Sequence, residues 1–190
     1  MGDIQRAVTI FTPGKTYEGF IDIPNESLRT IDVFNSNSIY WKDPAEKSFE
    51  DALLINDASV ILEGNTRLTK LSRVQVRLVD VMFFFDSLAD SGDRLEKIRA
   101  ATLKTRTGEE TSSVNIITHL RGDAFYYISG IFYGLFKSKS KQRYIPLTQP
   151  SITAVLRVAG GWQKKKIALP GSFVGVSTSH IEACSFKDYV

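Results

Sequence analysis

The chain has 190 residues, 43% of them hydrophobic and 24% charged, and its formal net charge is +3. This composition excludes a disordered chain, and the length fits one large domain or two small domains of about 100 residues each. The single cysteine, Cys184, excludes an internal disulfide and favours a reducing compartment, so we expect a cytoplasmic protein. The longest apolar run, residues 124–136, contains Ser129 and falls short of the roughly 20 residues that cross a bilayer as a helix, so no transmembrane segment is predicted.

Charge is distributed unevenly along the chain. Residues 1–94 carry a formal charge of −5, whereas residues 95–190 carry +8. Two units of opposite sign attract each other, and a basic unit attracts an anionic partner. The alternative is drift of solvated charge, because surface charge varies freely.

A β-hairpin is predicted at the start of the chain. Residues 7–11 are a β-branched run, Thr12-Pro13-Gly14-Lys15 is typical of a tight turn, and residues 17–23 alternate between apolar and polar types. The next apolar segment, residues 28–34, fits either a strand or a short helix. Asp43 followed by Pro44 then predicts the N-terminus of a short helix within a loop.

A long strand is predicted next. Residues 52–62 are two short apolar runs separated by Asn56-Asp57. Residues 71–85 continue as one strand in which Val74, Val76 and Leu78 alternate with polar residues, until the alternation fails from Val79 and residues 82–85 become apolar throughout. The run Phe83, Phe84, Phe85 that ends it is typical of a core or of an interface between domains. Residues 86–92 are polar and small, and they mark the domain boundary.

The pattern of strands and turns restarts after this boundary. A hairpin is predicted over residues 101–117, the most aromatic stretch follows over residues 122–136, and three further strands are predicted over 153–158, 164–169 and 173–177. Between them lies a basic stretch that fits a hairpin tip, in which Lys137, Lys139, Lys141 and Arg143 alternate with Ser138, Ser140 and Gln142. In an extended chain these four cations share one face.

A weak internal repeat organises these elements. Residues 28–60 align with residues 120–152 at a constant shift of 92, which places Arg121 on Arg29, Gln149 on Asp57 and Ile152 on Val60. A pattern that recurs at a fixed shift indicates a duplicated unit. The predicted fold is therefore mainly β, as two tandem, similar small β-barrel or sandwich domains with a few short helices, over residues 1–92 and 93–190.

Short motifs in the first unit resemble a small bacterial domain of unknown function. They are Gly19-Phe20-Ile21, Leu28-Arg29, Asp32-Val33-Phe34 and residues 54–60, Leu-Ile-Asn-Asp-Ala-Ser-Val, and they cover about half of that unit. The second unit departs from them, since Gln149-Pro150 replaces Asp57-Ala58. The resemblance implies a compact β-barrel of the broad class of Sm-like and PilZ-like modules, and it brings no catalytic residue with it.

Residue patterns that indicate enzymatic chemistry are scarce. His180 and Cys184 have a spacing that suits a metal on a helix, but a metal site needs three or four ligands, and a surface histidine with a buried thiol is the simpler interpretation. Arg73 and Arg77 match the first half of the PilZ nucleotide-binding motif, without the second half behind them. We therefore predict no catalytic, cofactor-binding or metal-binding residue, and no cofactor.

The sequence favours a non-enzymatic binding or scaffold module that acts through protein–protein contacts or self-association, with Phe83, Phe84 and Phe85 as the interface. The first alternative is single-stranded nucleic-acid binding by the basic, aromatic second unit, which combines phosphate neutralisation with base stacking. Its contact residues would be Lys137, Lys139, Lys141, Arg143, Lys164, Lys165 and Lys166. The net charge of +3 is low for a dedicated nucleic-acid binder. A second alternative is a PilZ-like sensor of a small ligand or cyclic dinucleotide.

Overall fold

Antiparallel strands make up most of the structure. The computed structural model describes residues 4–24, 28–36, 51–62, 66–86, 98, 101, 112–132 and 143–188. The strands are β1 (Ile4–Thr12), β2 (Lys15–Ile23), β3 (Ala52–Leu62), β4 (Thr66–Arg77), β5 (Phe83–Asp86), β6 (Ser112–Thr118), β7 (Ala124–Phe132), β8 (Tyr144–Val158), β9 (Gly161–Lys166), β10 (Phe173–Ser177) and β11 (Ile181–Asp188). Helix α1 (Thr30–Asn35) follows β2, and the 3-10 helices Leu78–Asp80 and Thr178–His180 precede β5 and β11. The predicted mainly β class is confirmed.

All eleven strands belong to one sheet, in the order β11-β6-β7-β8-β10-β5-β1-β2-β3-β4, with β9 paired to β8 beside this path. We call β1–β5 the first half and β6–β11 the second half. The two halves join where β5 pairs with β10. Within the described residues the end strands β11 and β4 do not pair, so the sheet is open and the predicted closed barrel or sandwich is not confirmed.

Two hydrophobic cores lie on opposite faces of this sheet. The first core collects Val8, Ile10 and Phe34 with other side chains of the first half, and the second core collects Val114, Ile116 and Ile152 with other side chains of the second half. Strand β5 contributes to both cores, since successive side chains of a strand point to opposite faces. Phe84 packs in the first core, while Phe83 and Phe85 pack in the second.

The N-terminal hairpin forms as predicted. β1 and β2 pair antiparallel with Thr12 opposite Lys15, and Gly14 takes a positive φ of 71° in the turn. Residues 28–34, which fitted either a strand or a helix, contribute to α1, whose Ile31 and Phe34 are buried. The fixed i, i+3 spacing of these apolar residues lets one helical face meet the first core.

The predicted single strand over residues 71–85 is wrong. β4 ends at Arg77, and the 3-10 helix Leu78–Asp80 turns the chain into β5. Tertiary hydrogen bonds hold this turn, because the Leu78 N–H donates to Asp51 O over 2.8 Å and the Met82 N–H donates to Phe11 O over 2.8 Å. The apolar alternation fails from Val79, inside this interruption, but a failed alternation alone does not distinguish a turn from a strand that is buried on both faces.

Asp57 and Gln149 interrupt β3 and β8 in the same way. Both have a positive φ, 50° and 48° respectively. Before each of them the odd-numbered residues Ile55 and Leu147 are buried, and after each of them even-numbered Val60 and Ile152 are buried. One extra residue in a strand shifts the side-chain alternation by one, as a β-bulge does. The predicted break at Asn56-Asp57 is therefore a bulge inside one continuous strand.

Strand registers in the two halves match around these bulges. Glu18 pairs with Ser59 in the first half, and Ser129 pairs with Ser151 in the second. Each pairing then shifts register at a glycine, Gly19 or Gly130, where an added Cβ would crowd the neighbouring backbone. The match extends to the last strands, where Ile10 pairs with Phe84 and Ile116 pairs with Cys184.

The constant shift of 92 holds for only part of the predicted repeat. It relates β3 to β8, including Asp57 to Gln149, but the alignment of Leu28 with Leu120 is wrong. Leu28 follows β2 and precedes α1, whereas Leu120 lies before β7, the strand whose pairing matches that of β2. Loops of different length separate the strands in the two halves, so no single shift can align them all.

Some sequence predictions fall outside the described residues. These are the helix at Asp43-Pro44, the hairpin turn near residue 108, the boundary at residues 87–92, and Lys137, Lys139 and Lys141 of the basic stretch. The division into domains 1–92 and 93–190 stays a prediction, and the sheet itself runs without interruption from one half to the other.

Candidate functional site

Metal-binding geometry is not found in the part of the chain that the structure describes, since no group of three or more His, Cys, Asp or Glu side chains there could hold an ion. Cys184 is exposed on β11, contrary to the predicted buried thiol. His180 is buried rather than on the surface, and its Nε2–H donates to Val79 O over 2.8 Å. These two side chains therefore give no sign of a shared metal or nucleophilic site.

The predicted interface residues Phe83, Phe84 and Phe85 are at most 1% exposed. Phe84 stacks on Phe34 with ring centroids 3.8 Å apart, and Phe83 stacks on Phe11 at 4.4 Å. The triplet therefore packs within the chain's own cores at the junction between the halves.

Further polar contacts cross this junction. The Tyr144 hydroxyl donates to Leu78 O over 2.8 Å, and burial raises the pKa of this hydroxyl far above its usual value, which keeps it protonated as a donor. Burial lowers the pKa of His180, and the nearby Arg121 and His119 lower it as well, while the bond to Val79 and the charge of Asp80 act in the opposite sense. His180 Nδ1 is buried without a hydrogen-bond partner, so a proton on it would be poorly accommodated.

The predicted basic residues are separated by the fold. Arg143 lies at the start of β8 and forms an ion pair with Asp51 over 3.2 Å, which links it to the acidic first half. Lys164, Lys165 and Lys166 lie far along the chain on β9, and all three are exposed. Arg143 therefore has a partner within the chain, whereas the three lysines of β9 are exposed to solvent or to a ligand.

The outer face of β7, β8 and β9 brings aromatic and cationic side chains together. In one cross-strand row Phe125 pairs with Val155, which pairs with Lys164. In the next row Tyr127 pairs with Thr153, which pairs with Lys166. Directly paired residues project from the same face of a sheet. We call this surface the aromatic–lysine face, and it comprises Phe125, Tyr127, Thr153, Val155, Arg157, Trp162, Lys164 and Lys166.

The rings on this face are ordered and accessible. Trp162 is 52% exposed and Tyr127 is 40% exposed. Trp162 lies edge-to-face against Phe125 with ring centroids 5.6 Å apart, and the Tyr127 hydroxyl donates to Asn115 Oδ1 over 2.7 Å. Arg157 pairs with Trp162 in a third row, so a cation again lies beside an aromatic ring.

Lys165 points to the opposite side of β9, because side chains alternate along a strand. Together with residues 167–170, Lys165 and the neighbouring Lys166 line a cavity of about 490 Å³ against the first half, next to Thr9, Phe11 and Glu18. A second cavity of about 570 Å³ adjoins it and is lined by Glu18, Asp57, Lys70 and Asp86 among others. The charges along these cavities are mixed, and they do not favour one class of ligand.

The sequence prediction included Lys164, Lys165 and Lys166 but missed Phe125, Tyr127, Trp162 and Arg157 as members of one surface. The i, i+2 spacing of Phe125 with Tyr127, and of Trp162 with Lys164 and Lys166, was the available signal. The register between β7, β8 and β9 is what joins the two sets.

None of the helices within the described ranges is long and apolar enough to cross a membrane. Comparison with protein-family models, with curated proteins and with solved structures finds no match for this chain. The resemblance to a small bacterial β-barrel domain therefore stays a prediction. Arg73 and Arg77, the half-motif of the PilZ alternative, are both exposed on β4.

Proposed function

We propose that the protein is a non-enzymatic binding module that binds nucleic acid through the aromatic–lysine face. The observation that carries the proposal is the pair of adjacent cross-strand rows, Phe125–Val155–Lys164 and Tyr127–Thr153–Lys166. Lysines neutralise phosphates, and aromatic rings offer stacking surfaces to bases. A face on which lysines and aromatic rings lie in register therefore suits a ligand that carries both phosphates and bases.

The charge distribution supports the same proposal. The face belongs to the part of the sequence that carries +8 over residues 95–190, whereas residues 1–94 carry −5. The acidic first half lowers the net charge to +3 without removing the local basic surface. The net charge of the chain is therefore lower than the local positive charge that a nucleic acid would meet at this face.

Protein–protein contact, the function that the sequence favoured first, has less support from the described surface. Its proposed interface, Phe83 to Phe85, is buried within the cores. A partner protein on the aromatic–lysine face is the remaining form of that proposal. The same experiment separates it from nucleic-acid binding, since a protein partner needs no phosphate.

We also propose that the halves descend from one duplicated unit. Support comes from the positive φ shared by Asp57 and Gln149, and from matching bonds, because the Leu78 N–H donates to Asp51 O and the Thr178 N–H donates to Arg143 O, each over 2.8 Å. The proposal is tested by superposing the two halves, with β1 on β6, β2 on β7, β3 on β8, β4 on β9–β10 and β5 on β11. It requires the two bulges to coincide and the two 3-10 helices to coincide. Two halves of different strand path would contradict it.

The nucleic-acid function is tested by fluorescence anisotropy with labelled single-stranded RNA and DNA at about 50 mM and about 200 mM salt. We expect binding at the lower salt, with a log–log salt slope of about −0.7 for each phosphate contacted. The variant Lys164→Ala/Lys166→Ala should bind more weakly and show a shallower slope.

Lys165→Ala is the control, since it removes one lysine charge, against two in the double variant, from the opposite side of the same strand. A second variant, Lys137→Ala/Lys139→Ala/Lys141→Ala, tests the basic stretch that the sequence singled out. Absence of binding by the wild type at low salt would contradict the proposed function. Equal loss from Lys165→Ala and from the double variant would move the site away from the aromatic–lysine face.

A further inference from the structure

We infer that the aromatic–lysine face selects a single strand, with bases over β7 and phosphates over β9, so that each cross-strand row holds one nucleotide. This inference rests on the proposed nucleic-acid function and deepens it.

The two rows repeat at the spacing of alternate residues along a strand. Phe125 and Tyr127 are two residues apart on β7, and Lys164 and Lys166 are two residues apart on β9, so the rows are about 7 Å apart. In each row the aromatic and the lysine are separated by two inter-strand distances, together about 9.6 Å. The same aromatic-to-cation relation therefore occurs twice, in the same orientation, as a repeating ligand requires.

Short side chains of the middle strand lie between the two columns. Thr153 and Val155, the β8 members of the rows, have short side chains that are mostly or partly covered. They separate the rings on one side from the ammonium groups on the other. A nucleotide, with its base and phosphate on opposite sides of a sugar, matches that arrangement.

The rings are held by the protein rather than by each other alone. The bond from the Tyr127 hydroxyl to Asn115 fixes the far end of that ring, and the edge-to-face contact with Trp162 supports Phe125. A ring already fixed in place loses less conformational entropy when a base stacks on it. The exposed fractions of Tyr127 and Trp162, 40% and 52%, show the area that remains for a base.

A duplex can use only part of this surface. Its bases are stacked on one another and paired, so its phosphates can reach Lys164 and Lys166 while its base faces cannot reach the rings. A single strand can use both columns. Stacking is worth about 5-fold to about 150-fold in affinity per base when an aromatic residue is replaced by alanine.

The experiment measures the dissociation constants of oligothymidine, oligouridine and a duplex of equal length for four proteins at one low salt concentration. These are the wild type, Tyr127→Ala, Tyr127→Phe and Phe20→Ala. Phe20 is the matched control, because it is 39% exposed on β2 in the first half, away from the face. Circular dichroism of each variant verifies the fold before binding is compared.

We expect the single strands to bind the wild type at least 5-fold more tightly than the duplex does. Tyr127→Ala should weaken single-strand binding by at least 5-fold and leave duplex binding nearly unchanged, and Tyr127→Phe should retain most of the affinity because its ring can still stack. Phe20→Ala should bind like the wild type.

The outcomes separate this inference from the function on which it rests. If neither single strand nor duplex binds, the proposed function fails and the inference fails with it. If duplex and single strands bind equally well, or Tyr127→Ala weakens both equally, the nucleic-acid function stands and the stacking inference is overturned. If Tyr127→Phe loses as much affinity as Tyr127→Ala, the hydroxyl rather than the ring contacts the ligand, which also overturns it.

Discussion

Strands β5 and β11 occupy matching places in the two halves, yet their surroundings are opposite. Each follows a 3-10 helix and pairs with the first strand of its half, with Phe84 opposite Ile10 and Cys184 opposite Ile116. β5 also pairs with β10 on its other side and is buried throughout, whereas residues 182–186 of β11 are exposed. The residues of β5 are Phe-Phe-Phe-Asp, and the matching residues 183–186 of β11 are Ala-Cys-Ser-Phe.

The comparison shows that a strand's burial follows from its neighbours in the sheet, because β5 is paired on both sides and β11 is an end strand. Burial also follows from what covers each face, and β5 contributes side chains to both cores. A strand between two cores needs large apolar side chains on both faces, and a run of three phenylalanines supplies them. The four predictions below test the difference between matching positions in the two halves.

The largest effect is expected at the centre of β5. Phe84→Asp would bury an unpaired carboxylate between Phe34 and Tyr144, so we expect loss of cooperative folding or of soluble expression. The milder Phe84→Ala should lower the free energy of unfolding by about 3–5 kcal/mol. Chemical denaturation followed by circular dichroism measures it.

Cys184→Asp is the control for this prediction, since it places the same carboxylate at the matching position of β11. Because Cys184 is exposed, the change should stay within about 0.5 kcal/mol. Equal destabilisation by Phe84→Ala and by Cys184→Asp would contradict the difference in burial between β5 and β11.

The second effect is expected at Gly175 of β10, directly opposite Phe84. An added Cβ would overlap the Phe84 ring, and that ring cannot move freely because it stacks on Phe34. Gly175→Ala should therefore cost about 1–3 kcal/mol of unfolding free energy, as overpacking does. The double variant Gly175→Ala/Phe84→Leu should cost less than the sum of the two single changes, and strict additivity in thermal or denaturant unfolding would contradict a direct clash.

The third effect concerns pH and the two 3-10 helices. His180 occupies the place in the second helix that Asp80 occupies in the first, and burial lowers the His180 pKa. As pH falls below about 6.5, an unfolded histidine takes up its proton before the folded one does, so stability should fall by up to about 1.4 kcal/mol per pH unit until the folded pKa is reached.

His180→Gln should flatten this part of the pH profile, because glutamine does not titrate. The measurement is the free energy of unfolding between pH 5 and pH 8. A profile for His180→Gln that follows the wild type would assign the pH dependence to other groups.

The smallest effect is expected at the two bulges. Gln149 has a φ of 48° and precedes Pro150, whereas Asp57 has a φ of 50° in a residue type that adopts this conformation more readily. Gln149→Gly should raise the free energy of unfolding by about 0.5–1 kcal/mol, and Asp57→Gly should raise it by a smaller amount. A loss of stability from Gln149→Gly would show that its side chain contributes more than its backbone strain costs.

Part of the candidate site could be predicted from the sequence. Lys164, Lys165 and Lys166 were identified from charge alone, and the aromatic content of the second half suggested stacking. Lys165 nevertheless lies on the opposite side from its neighbours, and Trp162 and Phe125 meet only because β7 and β9 both pair with β8. Arg143, grouped with the basic stretch by its spacing, instead pairs with Asp51 of the first half. Contacts between residues so far apart in the chain leave no periodicity to detect.

The sequence by itself determined the mainly β class and the hairpin of β1 and β2, because alternating apolar residues and a Pro-Gly turn act over a few neighbouring residues. It also determined that Asp57 and Gln149 hold matching places. Only the tertiary structure decided that β4 stops at Arg77, that one open sheet separates two cores, and that Phe83, Phe84 and Phe85 are divided between those cores. These features depend on which strands become neighbours, and such pairing is set by long-range hydrogen bonds and packing that no local pattern encodes.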